Sequence, residues 1–468
     1  MNARTVTLSP TSPQPKSTVK TRQGFATSLG AIAATLGSAL GLGNIWKFPY
    51  MTGQNGGAAF ILVYLLCLFI AGLPVMLSEF VIGRRSGSNA VRSFKKLAPG
   101  TLWYLTGVAG VTSAVVIMFF YSTVAGWVYA YIFKAASGAL SAVDPAQTPA
   151  VFDALTVSPI APLVWQWAVL AVVGTVIIAG VQNGIERVAK TVLPVLFLLL
   201  LVCDLRALTL SGAAAGVNFL FRPDFSKITP AVFLAALGLS FFKMSVCMGV
   251  MTTYGSYMGS EDNLPGSMLK VALSDTVVSI MAGLAIFPAV FAFGYQPDAG
   301  PSLLFITIPM VFNSMPLGQL FLTLFFILTA IAATGAMISL MEVPVAYLSE
   351  EKNWPRAKAT LVSVLVVAAF GLLATFSTSI LSHVQLWGRT FFDFFDFVTS
   401  SIFMPLAGVA ISLFAGWVLT SKAIVDEASN NGQLKNQSFL RGLAFILKYV
   451  TPIAITIVLL SGLGLIKL

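Results

Sequence analysis

The sequence predicts an all-α integral membrane protein of about eleven transmembrane helices. Three observations carry this. Of 468 residues, 57% are hydrophobic and 9% charged, against about 25% charged in a soluble protein. Runs of roughly 20 apolar residues, each able to cross a ~30 Å hydrocarbon layer as a helix, recur along the whole chain. The basic residues lie between those runs and not in one patch. This composition excludes a soluble enzyme, a disordered chain and a fibrous protein. A net charge of +10 spread over loops gives no nucleic-acid footprint, so no nucleic-acid partner is expected.

Residues 1–21 are rich in Ser, Thr, Pro and Lys and lack the apolar core of a signal peptide, so they read as a disordered cytoplasmic tail. Apolar runs follow over 24–50, 58–83, 103–133, 163–181, 189–210, 229–258, 268–294, 319–348, 359–376, 388–420 and 440–466. Short loops rich in Lys and Arg stay in the cytoplasm. The tail with Arg4, Lys16, Lys20 and Arg22, and the loop after span 2 with Arg84, Arg85, Arg92, Lys95 and Lys96, therefore face inward. Alternate later connections carry further basic residues, such as Arg187, Lys190, Arg356 and Lys358, whereas Lys134, Arg206, Arg222 and Lys227 fall on the other side. With an odd number of spans, Leu468 is expected outside.

Spans 1 and 6 differ from the rest. The first carries Gly37, Gly41 and Gly43 within GSALGLGN, and the sixth carries Ser245, Cys247 and Gly249 within KMSVCMG. Glycine-interrupted segments at matching places in two halves point to discontinuous helices around a midplane substrate site, where exposed backbone is tolerated because it lines a cavity.

Lys47, Glu79, Lys243, Asp275, Glu342, Asp393 and Asp396 lie within or at the edge of apolar runs. Each costs about 2.5–3.5 kcal/mol or more at the bilayer centre, so each is expected to be paired and, for several, functional. Cys67, Cys203 and Cys247 have no metal-ligand spacing and read as small buried hydrophobes. With the single histidine, His383, and no nucleophile–base set, nothing suggests an enzyme.

At GSALGLGNIWKFPY followed by NGGAAF, the chain closely resembles the sodium:neurotransmitter symporter family, especially its bacterial amino-acid transporters. The Tyr121 to Trp127 pattern of span 3, SFFKMSVCMGVMTTYGSY, DTVVSIMAGLAIFP, EVPVAYLSEE and DFFDF extend the resemblance over about 22–466. It implies two inverted five-helix repeats, residues 22–211 with spans 1–5 and residues 212–421 with spans 6–10. Residues 422–468 then hold the last loop and span 11. It implies alternating-access transport in the inner membrane of a prokaryote.

By motif position, the resemblance gives a substrate carboxylate to the amides of Leu42 and Gly43 and the hydroxyl of Tyr121. It gives the ammonium to carbonyls near Ala39, Phe242 and Ser245. A half-helix N-terminus suits an anion, and carbonyls freed by unwinding suit a cation. Ile117, Phe242, Met248 and Leu340 would line the side-chain pocket, with Ser38, Lys243 and Ala336 completing the site. Gly41 takes the place where monoamine carriers hold an aspartate, so a neutral, apolar or aromatic amino acid is expected. Lys47 would meet Asp396 in an outer gate, and Arg22 would meet Glu350, near Tyr257, in an inner one.

The chain departs from the family at both ion sites. The first, at Ala39, Asn44 and Asp275, has Lys243 where relatives have Thr or Ser. An ammonium has no lone pair for a metal, so a tethered cation is expected to replace Na⁺. The second draws on Gly37, Leu40 and Ala332, but its two hydroxyl positions, counted back from Ala346, are Gly335 and Ala336; a one-residue slip recovers Thr334 alone. Hard cations need several oxygens. Na⁺-independent or proton-linked transport is therefore the leading expectation, with Na⁺ coupling through the second site alone, or a non-transporting amino-acid sensor, as alternatives. No organic cofactor is expected, and the coupling ion is left between Na⁺ and H⁺.

Overall fold

The computed structural model describes residues 24–140, 147–295 and 303–466. The tail, Arg22 and Leu468 lie outside the described residues. Among the described residues, nine helices are long and apolar enough to cross a membrane: Ala58–Ser86, Tyr104–Ala136, Ala161–Ile178, Val181–Leu208, Leu264–Ala292, Gly318–Glu351, Arg356–Thr378, Phe391–Val418 and Gln437–Gly462. These are spans 2–5 and 7–11.

Span 1 is a broken pair, Ser28–Ala39 and Gly43–Gln54, bent by 48°. Thr27 caps its start, accepting from the Gly30 amide at 3.0 Å, which satisfies one of the helix's unpaired donors. Span 6 is likewise two helices, Pro230–Lys243 and Val250–Gly255. Between them Ser245 (φ 51°), Cys247 (φ 66°) and Gly249 (φ 73°) take left-handed backbone, which a non-glycine residue holds only where its surroundings enforce it. Buried Glu79 of span 2 is one such enforcer. One carboxylate oxygen accepts from the Cys247 amide at 3.0 Å and the other from the Thr252 hydroxyl at 3.1 Å. The expected pairing of Glu79 is thus with backbone freed by the break.

The two breaks meet at the middle of the fold, where the Ser245 hydroxyl donates to the Ser38 carbonyl at 2.9 Å. Spans 3 and 8, of 33 and 34 residues, are the longest helices and pack most extensively against each other, flanking the breaks. At about 50 Å each, they exceed the hydrocarbon thickness and project beyond it or tilt. Spans 3, 4 and 9 are joined by a polar knot. Gln166 donates to Ser122 at 2.8 Å and accepts from Thr375 at 2.9 Å, supplying the packing polarity that lipid-embedded helices cannot draw from the hydrophobic effect.

Candidate functional site

The residues expected at the midplane converge on one small cavity. Ser38, Ala39 and Gly43 line it from span 1, Ile117 and Tyr121 from span 3, Phe242, Lys243, Ser245 and Met248 from span 6, and Ala336 and Leu340 from span 8. Gly41 lines it as well, and a methyl group there would fall 2.7 Å from Tyr121 Oη and 2.8 Å from Ala336 Cβ. Leu42 contributes its backbone: its N–H donates to Tyr121 Oη at 2.8 Å. The carbonyls of Ala39 and Phe242 accept from the Gly41 and Ser245 amides at 3.0 and 3.3 Å.

The free space in this cavity is about 20 Å³, roughly that of one ordered water. An amino acid enters only if the walls move. Tyr121 and Phe242 are the walls with somewhere to go, since both also line a cavity of about 360 Å³ on the side of Lys47 and Asp396.

Around the expected first ion site, Lys243 Nζ lies 2.9 Å from Asp275 Oδ2, both side chains fully buried. The ammonium also donates to Ser279 Oγ at 2.5 Å and sits 4.3 and 4.5 Å from the ring centroids of Phe48 and Tyr64, within cation–π range. Asp275 further accepts from Asn44 Nδ2 at 2.6 Å and from Tyr64 Oη at 3.3 Å. Asn44 Oδ1 is buried with no hydrogen-bond partner. Ser279, Tyr64 and Phe48 were not anticipated from sequence. Ser279 could have been, because it stands one helical turn after Asp275 on the same face.

A sodium ion does not fit this first site, because the ammonium holds the volume and the charge an ion would have. At the second site, span 8 is one continuous helix from Gly318 to Glu351, which fixes the register without a gap. A methyl group on Gly335 would lie 2.8 Å from the Gly37 carbonyl oxygen, so Gly335 does face the site. Ala336 turns to the midplane cavity. The Thr334 hydroxyl pairs with Tyr129 Oη at 2.8 Å and donates to the Ala330 carbonyl at 2.7 Å. Gly37, Leu40, Ala332 and Gly335 line one cavity, together with Thr334 and Ser339.

On the Lys47 side, Lys47 Nζ is 3.7 Å from Asp396 Oδ1, the side chains 20% and 40% exposed, and 4.5 Å from the Phe242 ring centroid. On the opposite side, Glu350 accepts from the Asn89 amide at 2.8 Å; its expected partner Arg22 is not among the described residues. Tyr257 donates to Glu342 at 2.6 Å. Glu342, fully buried, also holds Arg356 in a two-point pair at 3.0 and 2.5 Å, and Arg356 Nε donates to the Ile177 carbonyl at 2.7 Å. Phe25 packs edge-on against Tyr254 and Tyr257, with centroids 5.5 and 5.8 Å away. The charge on Glu342 was legible as costly, but Arg356 as its partner was not.

Comparison with known proteins agrees with this geometry. The pattern described as "Sodium:neurotransmitter symporter family" matches residues 22–148 and 155–467. The chain is 40% identical over 443 residues to the sodium-dependent transporter YhdH of Bacillus subtilis, covering 95% of this chain and 98% of that one. It is 32% identical to a sodium-dependent transporter of Haemophilus influenzae, covering 95% and 99%. The crystal structure of MhsT in complex with L-phenylalanine superposes with a TM-score of 0.88 at 41% identity, covering 94% of this chain and all of that one.

Proposed function

The chain belongs to the sodium:neurotransmitter symporter family, and from that membership we propose that it is a secondary transporter of neutral, apolar or aromatic amino acids. It works in the inner membrane of a prokaryote with its N-terminus inside. Lys243 takes the place of the first sodium ion. The observation that carries the reading is the buried Lys243–Asp275 pair, whose lysine lines the midplane cavity.

The Leu42 and Gly43 amides and the Tyr121 hydroxyl hold the substrate carboxylate, with the Lys243 ammonium supplying a positive charge beside it. The carbonyls of Ala39, Phe242 and Ser245 take the substrate ammonium. Ile117, Met248 and Leu340 offer the side chain an apolar pocket without a charge partner, a reading to which the phenylalanine bound to MhsT adds support. The halves 22–211 and 212–421 rock about this site. Access from outside is closed by Lys47, Asp396 and the ring of Phe242, and access from inside by Arg22 with Glu350, with Tyr257, Glu342 and Arg356 beside them. An exposed ion pair is worth only ~0–1 kcal/mol, a suitable strength for a gate that opens every cycle.

Relatives carry sodium dependence in their names, but the residues here supply one cation of their own and, at Gly335 and Ala336, no hydroxyl for the second site. No Na⁺ is therefore required for substrate binding, and H⁺ is the coupling ion when one is used. Thermal-shift measurements of the purified protein against the twenty amino acids, in Na⁺ and in an inert organic cation, test this. Binding stabilises the fold in proportion to the logarithm of ligand excess. Neutral apolar or aromatic amino acids should raise the melting temperature equally in both salts; a rise confined to Na⁺, or to charged amino acids, would overturn the reading.

A further inference from the structure

Lys448 is the intramembrane cation that transport leaves unused. It stands about 16 Å along the axis from Gln437, inside span 11 (Gln437–Gly462). Among the described residues, Lys47, Lys243 and Arg356 have carboxylates: Asp396, Asp275 and Glu342. Among the described residues, Lys448 has aromatic rings instead. Its ammonium is 4.3 Å from the Trp417 ring centroid and 5.5 Å from that of Tyr449. Its stem lies in the seam between spans 10 and 11, where a methyl group on Gly416 would fall 3.0–3.3 Å from Lys448 Cα, Cβ and Cγ. The Trp417 indole donates to the Lys448 carbonyl at 3.3 Å. Trp417 and Tyr449 are 55% and 44% exposed, on a surface that faces lipid.

Beside this cluster runs an apolar groove of about 590 Å³. Ile70, Phe233 and Leu237 form one wall, and Ile453 and Ile457 the other. Tyr449 belongs to both features, lining the groove and flanking the ammonium.

We propose that this groove and Lys448 together bind an anionic phospholipid, with an acyl chain in the groove and the phosphate at Lys448 Nζ. An ammonium has three donors, and two ring faces leave it without a hydrogen-bond acceptor. Left so in hydrocarbon it costs a few kcal/mol, which a lysine escapes by snorkelling to the nearer headgroups. Trp417 and Tyr449 are the residue types that settle at headgroup level. With no carboxylate to neutralise it, the site favours a net negative headgroup over a zwitterionic one. Hydrocarbon is the solvent that meets the groove's open side, so the acyl chain of the same lipid fills it.

Native mass spectrometry of the delipidated full chain, titrated with phosphatidylglycerol or phosphatidylcholine of identical acyl chains, tests the proposal. Wild type should retain phosphatidylglycerol at lower added lipid than phosphatidylcholine. Lys448→Gln should weaken phosphatidylglycerol retention about five-fold, equivalent to the ~1 kcal/mol that one lysine contributes near an anionic surface, and leave phosphatidylcholine unchanged. Lys448→Arg should preserve the preference, and Ala454→Phe, which fills the groove, should weaken both lipids. Equal retention of the two lipids by wild type would overturn the proposal, as would retention indifferent to both Lys448→Gln and Ala454→Phe. A dimer that Ala454→Phe dissolves would overturn it too, by giving the groove to a second copy of the chain. If Lys448→Gln cannot be purified, Lys448→Arg and Ala454→Phe decide the matter alone.

Discussion

Lys243 Nζ and Asp275 Oδ2 lie 2.9 Å apart with neither side chain reached by solvent, one from the broken span 6 and the other from the continuous span 7. The pair joins a helix that breaks at the midplane cavity to one that does not. Removing either partner leaves a buried uncompensated charge, a loss of about 3–5 kcal/mol. Asp275→Ala should therefore lower stability by that order, measured by denaturation in detergent, while Lys243→Met with Asp275→Met should recover most of it, because an apolar pair of similar volume has no charge to strand.

Tyr121→Phe removes the hydroxyl that meets the Leu42 amide at 2.8 Å. If that hydroxyl turns to the substrate carboxylate, binding should weaken by roughly 1.5–3 kcal/mol, the worth of a hydrogen bond to a charged group. Equilibrium binding of labelled substrate measures it. The decarboxylated amine of the preferred substrate should fail to compete; tight binding of that amine would contradict the assignment.

Gly41→Ala places a methyl group 2.7 Å from Tyr121 Oη and 2.8 Å from Ala336 Cβ. Neither a packed hydroxyl nor a helical Cβ yields that distance cheaply, since interiors are close-packed. Substrate binding should fall at least ten-fold, and the melting temperature of the ligand-free protein should fall too, since overpacking costs about 1–3 kcal/mol. Unaltered binding would remove Gly41 from the cavity wall.

Much of this was legible in the sequence for identifiable reasons. The break in span 1 shows because Gly37, Gly41 and Gly43 are poor helix residues within an apolar run, and Lys243 and Asp275 show because the bilayer makes charge conspicuous. The rest of the cage showed less. Tyr64 and Phe48 are residue types that also pack ordinary helix interfaces, so only their three-dimensional convergence marks them, whereas Ser279 was legible from its place one turn after Asp275. Glu342 announced a cost, but its partner Arg356 sits at the start of the next span, across a turn whose geometry is not written in hydropathy. Lys448, inside the apolar run 440–466, is as conspicuous a charge as Lys243, but the rings that meet it are not legible in the sequence. Which span 8 residues face Gly37 was not legible either, because it takes the packed helices to bring Gly335 within reach of the Gly37 carbonyl.

Lys47 and Asp396 are 3.7 Å apart, and Lys47 lies over Phe242, which walls the midplane cavity. On the proposed reading, a substrate that displaces Phe242 would act on this pair. The charge swap Lys47→Asp with Asp396→Lys should recover more transport in proteoliposomes than either single change, because pairing energy is a coupling term. Additive losses would argue against a working contact.

Arg356→Met leaves Glu342 buried with Tyr257 as its remaining donor. Stability should fall by about 3–5 kcal/mol, and a single cysteine placed near the cytoplasmic end of the substrate pathway should react faster with a membrane-impermeant thiol reagent applied from inside. Unchanged labelling would make the Glu342–Arg356 pair a structural tie with no part in closure.

Substrate affinity measured in Na⁺ and in an inert organic cation, for wild type and for Lys243→Thr, tests the central claim most directly. The tethered ammonium should make wild-type affinity the same in both salts. Lys243→Thr strands Asp275 as a buried charge and opens the space of an ion, so its affinity should become Na⁺-dependent. A wild type that requires Na⁺, or a variant indifferent to it, would contradict the account of Lys243 as the built-in cation.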